Sequence, residues 1–209
     1  MQVIALLVSL VDFRNNRQMT WTYNQGIILS GLSGLYKFTG DEQLIIDAQK
    51  LIDSVLDSYL VPSSSGILVE SCDPFRTCDQ DQWMFKGIFF QHLGYFLQDL
   101  SEIGELSLTT RQQIIEKYYG FIETNACAVW DVARQKDGKI GNWWDGPPGE
   151  EIRRQVSVET HGSGVAAILC AVRVGQLLES CKHDGEGVTD IKRAIRGLGL
   201  CGERWNDYL

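Results

Sequence analysis

Apolar residues recur at helical spacing along almost the whole 209-residue chain, and no convincing run of strand alternation breaks in, so the fold must be built from packed helices. Leu44, Ile45, Ala48, Leu51, Ile52, Val55 and Leu56 line one face of a helix that starts near Asp41. Phe85, Ile88, Phe89, Leu93, Phe96, Leu97 and Leu100 form a second stripe, and Ile115, Tyr118, Tyr119, Ile122, Ala126, Val129 and Trp130 a third. Thr39-Gly40-Asp41 supplies a stop and a cap back to back, which predicts a helical hairpin over 23–60. Thr110 through Gln113 has the form of a capping box for the third stripe, and a fifth helix is predicted over 156–178.

Two long loops separate these helices. One opens at Val61-Pro62-Ser63-Ser64-Ser65-Gly66 and reaches Asp81; the other runs from Asp131 to Gln155 and carries Trp143, Trp144 and Gly146-Pro147-Pro148-Gly149. Short turn and long loop therefore alternate in units of roughly 50 residues, the organisation of a helical repeat. In a ring of hairpins the long loops gather on one rim, where functional residues concentrate. Residues 1–20 are expected to be the remnant of an upstream helix or a misassigned start, 21–180 one helical domain, and 181–209 a divergent tail.

A formal net charge of -8 argues against nucleic acid or an anionic membrane surface as partner, and leaves a neutral ligand such as a glycan unopposed. Met1 to Val11 is apolar but lacks a basic start and a cleavage site, so it is no clear signal peptide. Of six cysteines only Cys72 and Cys78 lie close enough in sequence to suggest a disulfide, and free buried thiols are expected at Cys127, Cys170, Cys181 and Cys201. The spacing offers no zinc site, and no cofactor is called for. His161-Gly162-Ser163-Gly164 lacks the spacing of a nucleophile elbow, which disfavours a serine hydrolase.

Three blocks carry a resemblance. The first is Trp21-Thr22-Tyr23-Asn24-Gln25-Gly26, with Leu35-Tyr36-Lys37-Phe38-Thr39-Gly40-Asp41 after it. The second is Glu70-Ser71-Cys72-Asp73, then Cys78 and Asp79-Gln80-Asp81, leading into Phe85-Lys86-Gly87-Ile88-Phe89. The third is Asn125-Ala126 with Val129-Trp130, the Trp143 loop and Gln155-Val156-Ser157. In order and spacing they resemble glycoside hydrolase family 76, the α-1,6-mannanase-like glycosidases. The resemblance implies an all-α (α/α)6 toroid of twelve helices, of which about five to six are visible here. It also implies a rim cleft for mannan or another mannose-containing glycan, and a full-length protein that is secreted, extracellular or wall- or membrane-associated.

The family's retaining chemistry rests on two consecutive aspartates, because retention needs carboxyls only about 5 to 5.5 Å apart. No Asp-Asp pair occurs in this sequence. Asp41-Glu42 sits at a hairpin turn and Glu150-Glu151 precedes Arg153-Arg154, so capping and local charge balance account for both. No catalytic residue is assigned, and the chain is expected to be the inactive C-terminal part of an endo-α-1,6-mannosidase, prone to self-association.

Residues assigned to glycan binding are Trp21, Tyr23, Asn24, Gln25, Asp81, Trp83, Lys86, Trp143 and Trp144. Amides can match paired sugar hydroxyls, and indoles or phenols can cover the apolar C–H face of a pyranose. Core packing and helix capping compete for each. Trp143 and Trp144, in a Gly- and Pro-rich loop, are expected to be exposed, and Lys86 is expected to pair with Asp79, Asp81 or Glu70. A non-catalytic carbohydrate-binding remnant is the alternative function. A six-hairpin hydrolase of acidic uronides is less favoured, since few arginines fall in the loops.

Overall fold

A computed structural model describes residues 19–102, 106–146 and 155–182. The expectations for 1–18, for Glu150-Glu151 and for most of the tail lie outside them. Five α-helices occur in the described part: α1 (Thr22–Thr39), α2 (Glu42–Leu56), α3 (Gln82–Glu102), α4 (Leu108–Ala128) and α5 (Val158–Lys182). A 3-10 turn at Asp73–Phe75 lies in the first long loop, and a π-turn at Val129–Ala133 extends α4. Among the described residues, β-type pairing is limited to one isolated antiparallel bridge between Arg134 and Ile140.

The α1–α2 hairpin forms as its sequence demands. Gly40 ends α1 at φ 69, a left-handed conformation in which a Cβ would be strained. The Asp41 carboxylate then caps α2 by accepting from the Gln43 N–H at 3.0 Å. The cap of α4 differs from expectation. Ser107, three residues before Thr110, is the N-cap, and its hydroxyl accepts from the Thr110 N–H at 3.1 Å. Helix α5 starts with a reciprocal pair: the Ser157 Oγ accepts from the Thr160 N–H, and the Thr160 Oγ1 accepts from the Ser157 N–H.

Contacts between helices reveal a layer of parallel helices. Along α1 and α3, Tyr23 meets Phe85, Ser30 meets His92 and Ser33 meets Asp99. Along α3 and α5, Gly87 meets Ser163 and Gly94 meets Cys170. Numbers rise together in both sets, so α1, α3 and α5 run in the same direction and start at the same end. Their backbones approach closely. A Cβ on Gly26 would stand 2.6 Å from the Phe89 Cα, and one on Gly87 only 2.4 Å from the Ser163 Cα.

Helices α2 and α4 form the second layer, α2 against α1 and α4 against α5. Lys117 and Tyr118 of α4 both reach the Asp53 carboxylate of α2. Between the layers lies a core that includes Leu29, Tyr36, Ile52, Phe89, Phe90, Leu97, Tyr118 and Ile122, all essentially free of solvent. Burial of this apolar face is the main driving force for the arrangement. The two-layer order returns the chain, by way of α2 and then α4, to the end where α1, α3 and α5 begin.

Candidate functional site

At that shared end, a buried polar relay ties both long loops to the helix starts. Thr22, the first residue of α1, donates its N–H to Glu70 Oε2 at 3.3 Å and its hydroxyl to Glu70 Oε1. The Glu70 N–H donates to Asp73 Oδ2 at 2.9 Å. Lys86, in the second turn of α3, donates to the same oxygen at 2.7 Å and to the Asn142 carbonyl of the second loop at 2.8 Å. Its ammonium also stands 4.7 Å from the centre of the Trp144 ring. Thr22, Glu70, Asp73, Lys86 and Asn142 are all buried.

The electrostatics of the relay follow from that burial. Desolvation pushes the Glu70 carboxyl up to about 8, opposed by the Thr22 hydrogen bonds and the Lys86 charge. Asp73 and Lys86, each with only 3% of the side chain exposed, form an ion pair that water does not screen. Removing one member of such a pair leaves a bare buried charge and costs about 3–5 kcal/mol. The lysine partner is therefore Asp73, not the expected Asp79, Asp81 or Glu70. The 3-10 turn carries the Asp73 side chain inward, while Asp79 and Asp81 remain exposed.

A disulfide joins Cys72 to Cys78 across this turn, at a Cα separation of 5.0 Å. Arg76, held inside that small loop at φ 57, is a left-handed non-glycine residue. Its guanidinium lies 3.8 Å above the centre of the Trp143 ring. This stacking covers Trp143, which is 6% exposed, and Trp144 turns inward against Phe90 and Lys86 with no exposure at all. The expectation that both indoles stand in solvent is thus corrected: the glycine-rich loop folds them inward because large apolar rings left wet are costly. The expectation of free thiols is corrected at Cys127, which is disulfide-bonded. Cys170 is free and buried.

Among the other assigned residues, Trp21 and Tyr23 are half-buried and both pack on Phe85 of α3, with ring centres 5.4 and 4.3 Å away. Trp83 is also half-buried and donates its indole N–H to the Cys78 carbonyl at 3.0 Å. Asn24 is half-buried in the first turn of α1 and Asp81 is exposed just before α3. Gln25 is buried, and its Oε1, like the Trp144 Nε1, has no hydrogen-bond partner among the described residues. Helix geometry thus brings Trp21, Tyr23, Asn24, Asp81 and Trp83 to one rim, over a foundation containing Lys86 and Trp144.

Several residues of this foundation escaped the sequence reading of the site. Thr22 and Glu70 are the clearest, although both sit inside the quoted blocks. Asn125 is another: fully buried in α4, it accepts from the Leu68 N–H at 2.8 Å and donates to the Gly66 carbonyl at 3.2 Å, anchoring the first loop. Its signal was an amide placed among apolar helix positions. Ser163, which in sequence stands out only within a motif that lacks nucleophile-elbow spacing, accepts from the Gly87 N–H through its hydroxyl at 2.8 Å.

Comparison with known proteins agrees with this architecture. The α-1,6-mannanase GH76A of Salegentibacter sp. HEL1_6 superposes with a TM-score of 0.58 at 22% identity, over 78% of this chain and 44% of that one. Inactive variants of that enzyme, with two consecutive aspartates replaced, have been solved in complex with α-1,6-mannotriose and α-1,6-mannotetrose. In sequence, a mannan endo-1,6-alpha-mannosidase of Candida glabrata is 33% identical over 134 residues, or 60% of this chain and 27% of that protein. A second, from Saccharomyces cerevisiae, is 30% identical over 132 residues, or 59% of this chain and 28% of the relative. The chain thus spans less than a third of the length of these fungal relatives. Residues 11–161, well over half of the chain, match the profile of glycosyl hydrolase family 76, and this all-helical chain belongs to that family.

Proposed function

We propose that this chain frames and binds an α-1,6-linked mannose glycan, as one part of a retaining endo-α-1,6-mannosidase that hydrolyses or transfers mannan. The observation that carries the reading is the convergence of three parallel helix starts and two long loops on one rim. Half-buried Trp21, Tyr23 and Trp83 stand at that rim on a rigid, hydrogen-bonded base. Half-buried aromatics with fixed ring orientation are what stacking on a pyranose requires.

The chemistry itself needs a pair of carboxyls at the retaining distance. Glu70 and Asp73 are committed to Thr22 and Lys86 and are closed to solvent, and no consecutive aspartates occur in the sequence. The chain therefore holds glycan and does not cleave it unaided. In the Salegentibacter relative, variants without the consecutive aspartates still form complexes with mannooligosaccharides, so binding and bond cleavage are separable there. The disulfide-bonded state of Cys72, Cys78 and Cys127 supports an extracellular or cell-wall location for the full-length protein, since disulfides persist in oxidising compartments.

Two assays on the chain test this division of labour. Incubation with α-1,6-mannan should release no reducing ends, and titration with α-1,6-mannotriose should saturate a tryptophan fluorescence change. Retaining hydrolysis by the chain alone would overturn the proposed separation, and a flat titration would overturn glycan binding. A purely carbohydrate-binding role, the second reading, gains support only if binding persists and the full-length protein is also without turnover.

A further inference from the structure

Helix α1 begins in an unusual way. Its N-cap position is Trp21, which provides no side-chain acceptor, and its first turn contains no acidic residue. A serine or aspartate at that position would satisfy the free N–H groups locally. Instead the acceptor comes from Glu70, 48 residues along the chain, whose carboxyl takes both the N–H and the hydroxyl of Thr22. Burying a carboxyl for a capping task alone is costly when an exposed side chain could do it. What the arrangement permits is an aromatic residue at the N-cap, on the rim.

We infer that Glu70 is a positioning residue for the glycan rim: it acts through Thr22 to fix where the flanking Trp21 and Tyr23 rings stand. This rests on the proposed glycan-binding function. Both rings are gripped from two directions by one relay. From below, Glu70 holds the backbone and side chain of Thr22, the residue between them. From the side, both rings pack on Phe85, whose neighbour Lys86 is held by Asp73, and Asp73 in turn accepts from the Glu70 N–H. The charged groups acting on Glu70 are Lys86 and Asp73, and both belong to the relay. A shift of the carboxyl would therefore move the start of α1 relative to α3, and the aromatic pair with it. Stacking affinity depends on ring placement, so the effect reaches ligand binding without Glu70 touching ligand.

The test uses the whole chain and three substitutions. Thr22→Val keeps the shape and removes the hydroxyl donor, Thr22→Ser keeps the donor, and Glu70→Gln removes the titratable carboxyl, keeping one acceptor oxygen and putting an amide donor in place of the other. Each is checked for folding by circular dichroism, then titrated with α-1,6-mannotriose, with the Trp21 indole N–H resonance followed by NMR. Thr22→Val and Glu70→Gln should bind about five- to tenfold more weakly, as expected for the loss of one buried hydrogen bond in the relay. Thr22→Ser should restore affinity to within about twofold of the original and return the Trp21 resonance to its place. If the unaltered chain saturates and folded Thr22→Val and Glu70→Gln bind equally well, Glu70 is only a cap and the inference fails. If the unaltered chain does not bind, the glycan function itself fails, and the inference falls with it.

Discussion

Glu70 shows how opposing terms at a single residue set a pH response. Desolvation outweighs its hydrogen bonds with Thr22 and the charge of Lys86, so the folded carboxyl retains its proton to about pH 8. In the unfolded chain the same carboxyl ionises near 4.5. Between those values the native state binds one more proton than the unfolded state, so its contribution to stability is full in acid, declines as pH rises, and levels off above about 8. Urea unfolding from pH 5 to pH 9 should show this decline, amounting to a few kcal/mol at most, and Glu70→Gln should flatten it. An unchanged slope in the variant would place the titration elsewhere. Such a role was illegible in sequence, because Glu70 could be read only as one candidate partner for Lys86. Pairing depends on which carboxylate the 3-10 turn at Asp73–Phe75 carries inward, a matter of tertiary geometry. The burial of Trp143 was hidden for the same reason, since its cover is Arg76, far away in sequence.

Helices were the legible part. The stripes on α2, α3 and α4, the Gly40 stop and the Asp41 cap follow from periodicity and local chemistry, which sequence carries directly. Errors fell at boundaries, as with Ser107 in place of Thr110 at the start of α4, because several hydroxyls in a row can each serve as cap. Helix α5 is a different case. Val158–Ser180 is long and apolar enough, by length and composition, to cross a membrane, and both α3 and α4 pack against it in this fold, with 44% of its apolar window buried. Inter-helix distance was invisible from sequence but now makes glycines distinguishable. Gly87→Ala should destabilise by about 1–3 kcal/mol or more, since its Cβ would meet the Ser163 backbone. Gly31→Ala, with nothing within 4 Å, should instead stabilise α1 by about 0.5–1 kcal/mol. Thermal unfolding of the pair measures both, and equal effects would contradict the close approach of α3 and α5.

Across the whole molecule, parallel order is what turns scattered motifs into one site. Three helices that start together place blocks more than 60 residues apart, such as Thr22 and Lys86, on a common base. Phe38, Leu108, Val158 and Leu169 are exposed apolar side chains, and sedimentation checks the expected self-association: a compact monomer would contradict it. The shared rim is the claim on which binding, positioning and chemistry all depend. Hydrogen exchange with and without saturating α-1,6-mannotriose tests it most directly. Protection should rise together in residues 20–26 at the start of α1 and 79–88 at the start of α3, with the far ends of these helices unchanged. Protection confined to one of these segments, or appearing instead around Phe38 and Leu100 at the opposite end, would contradict a common groove.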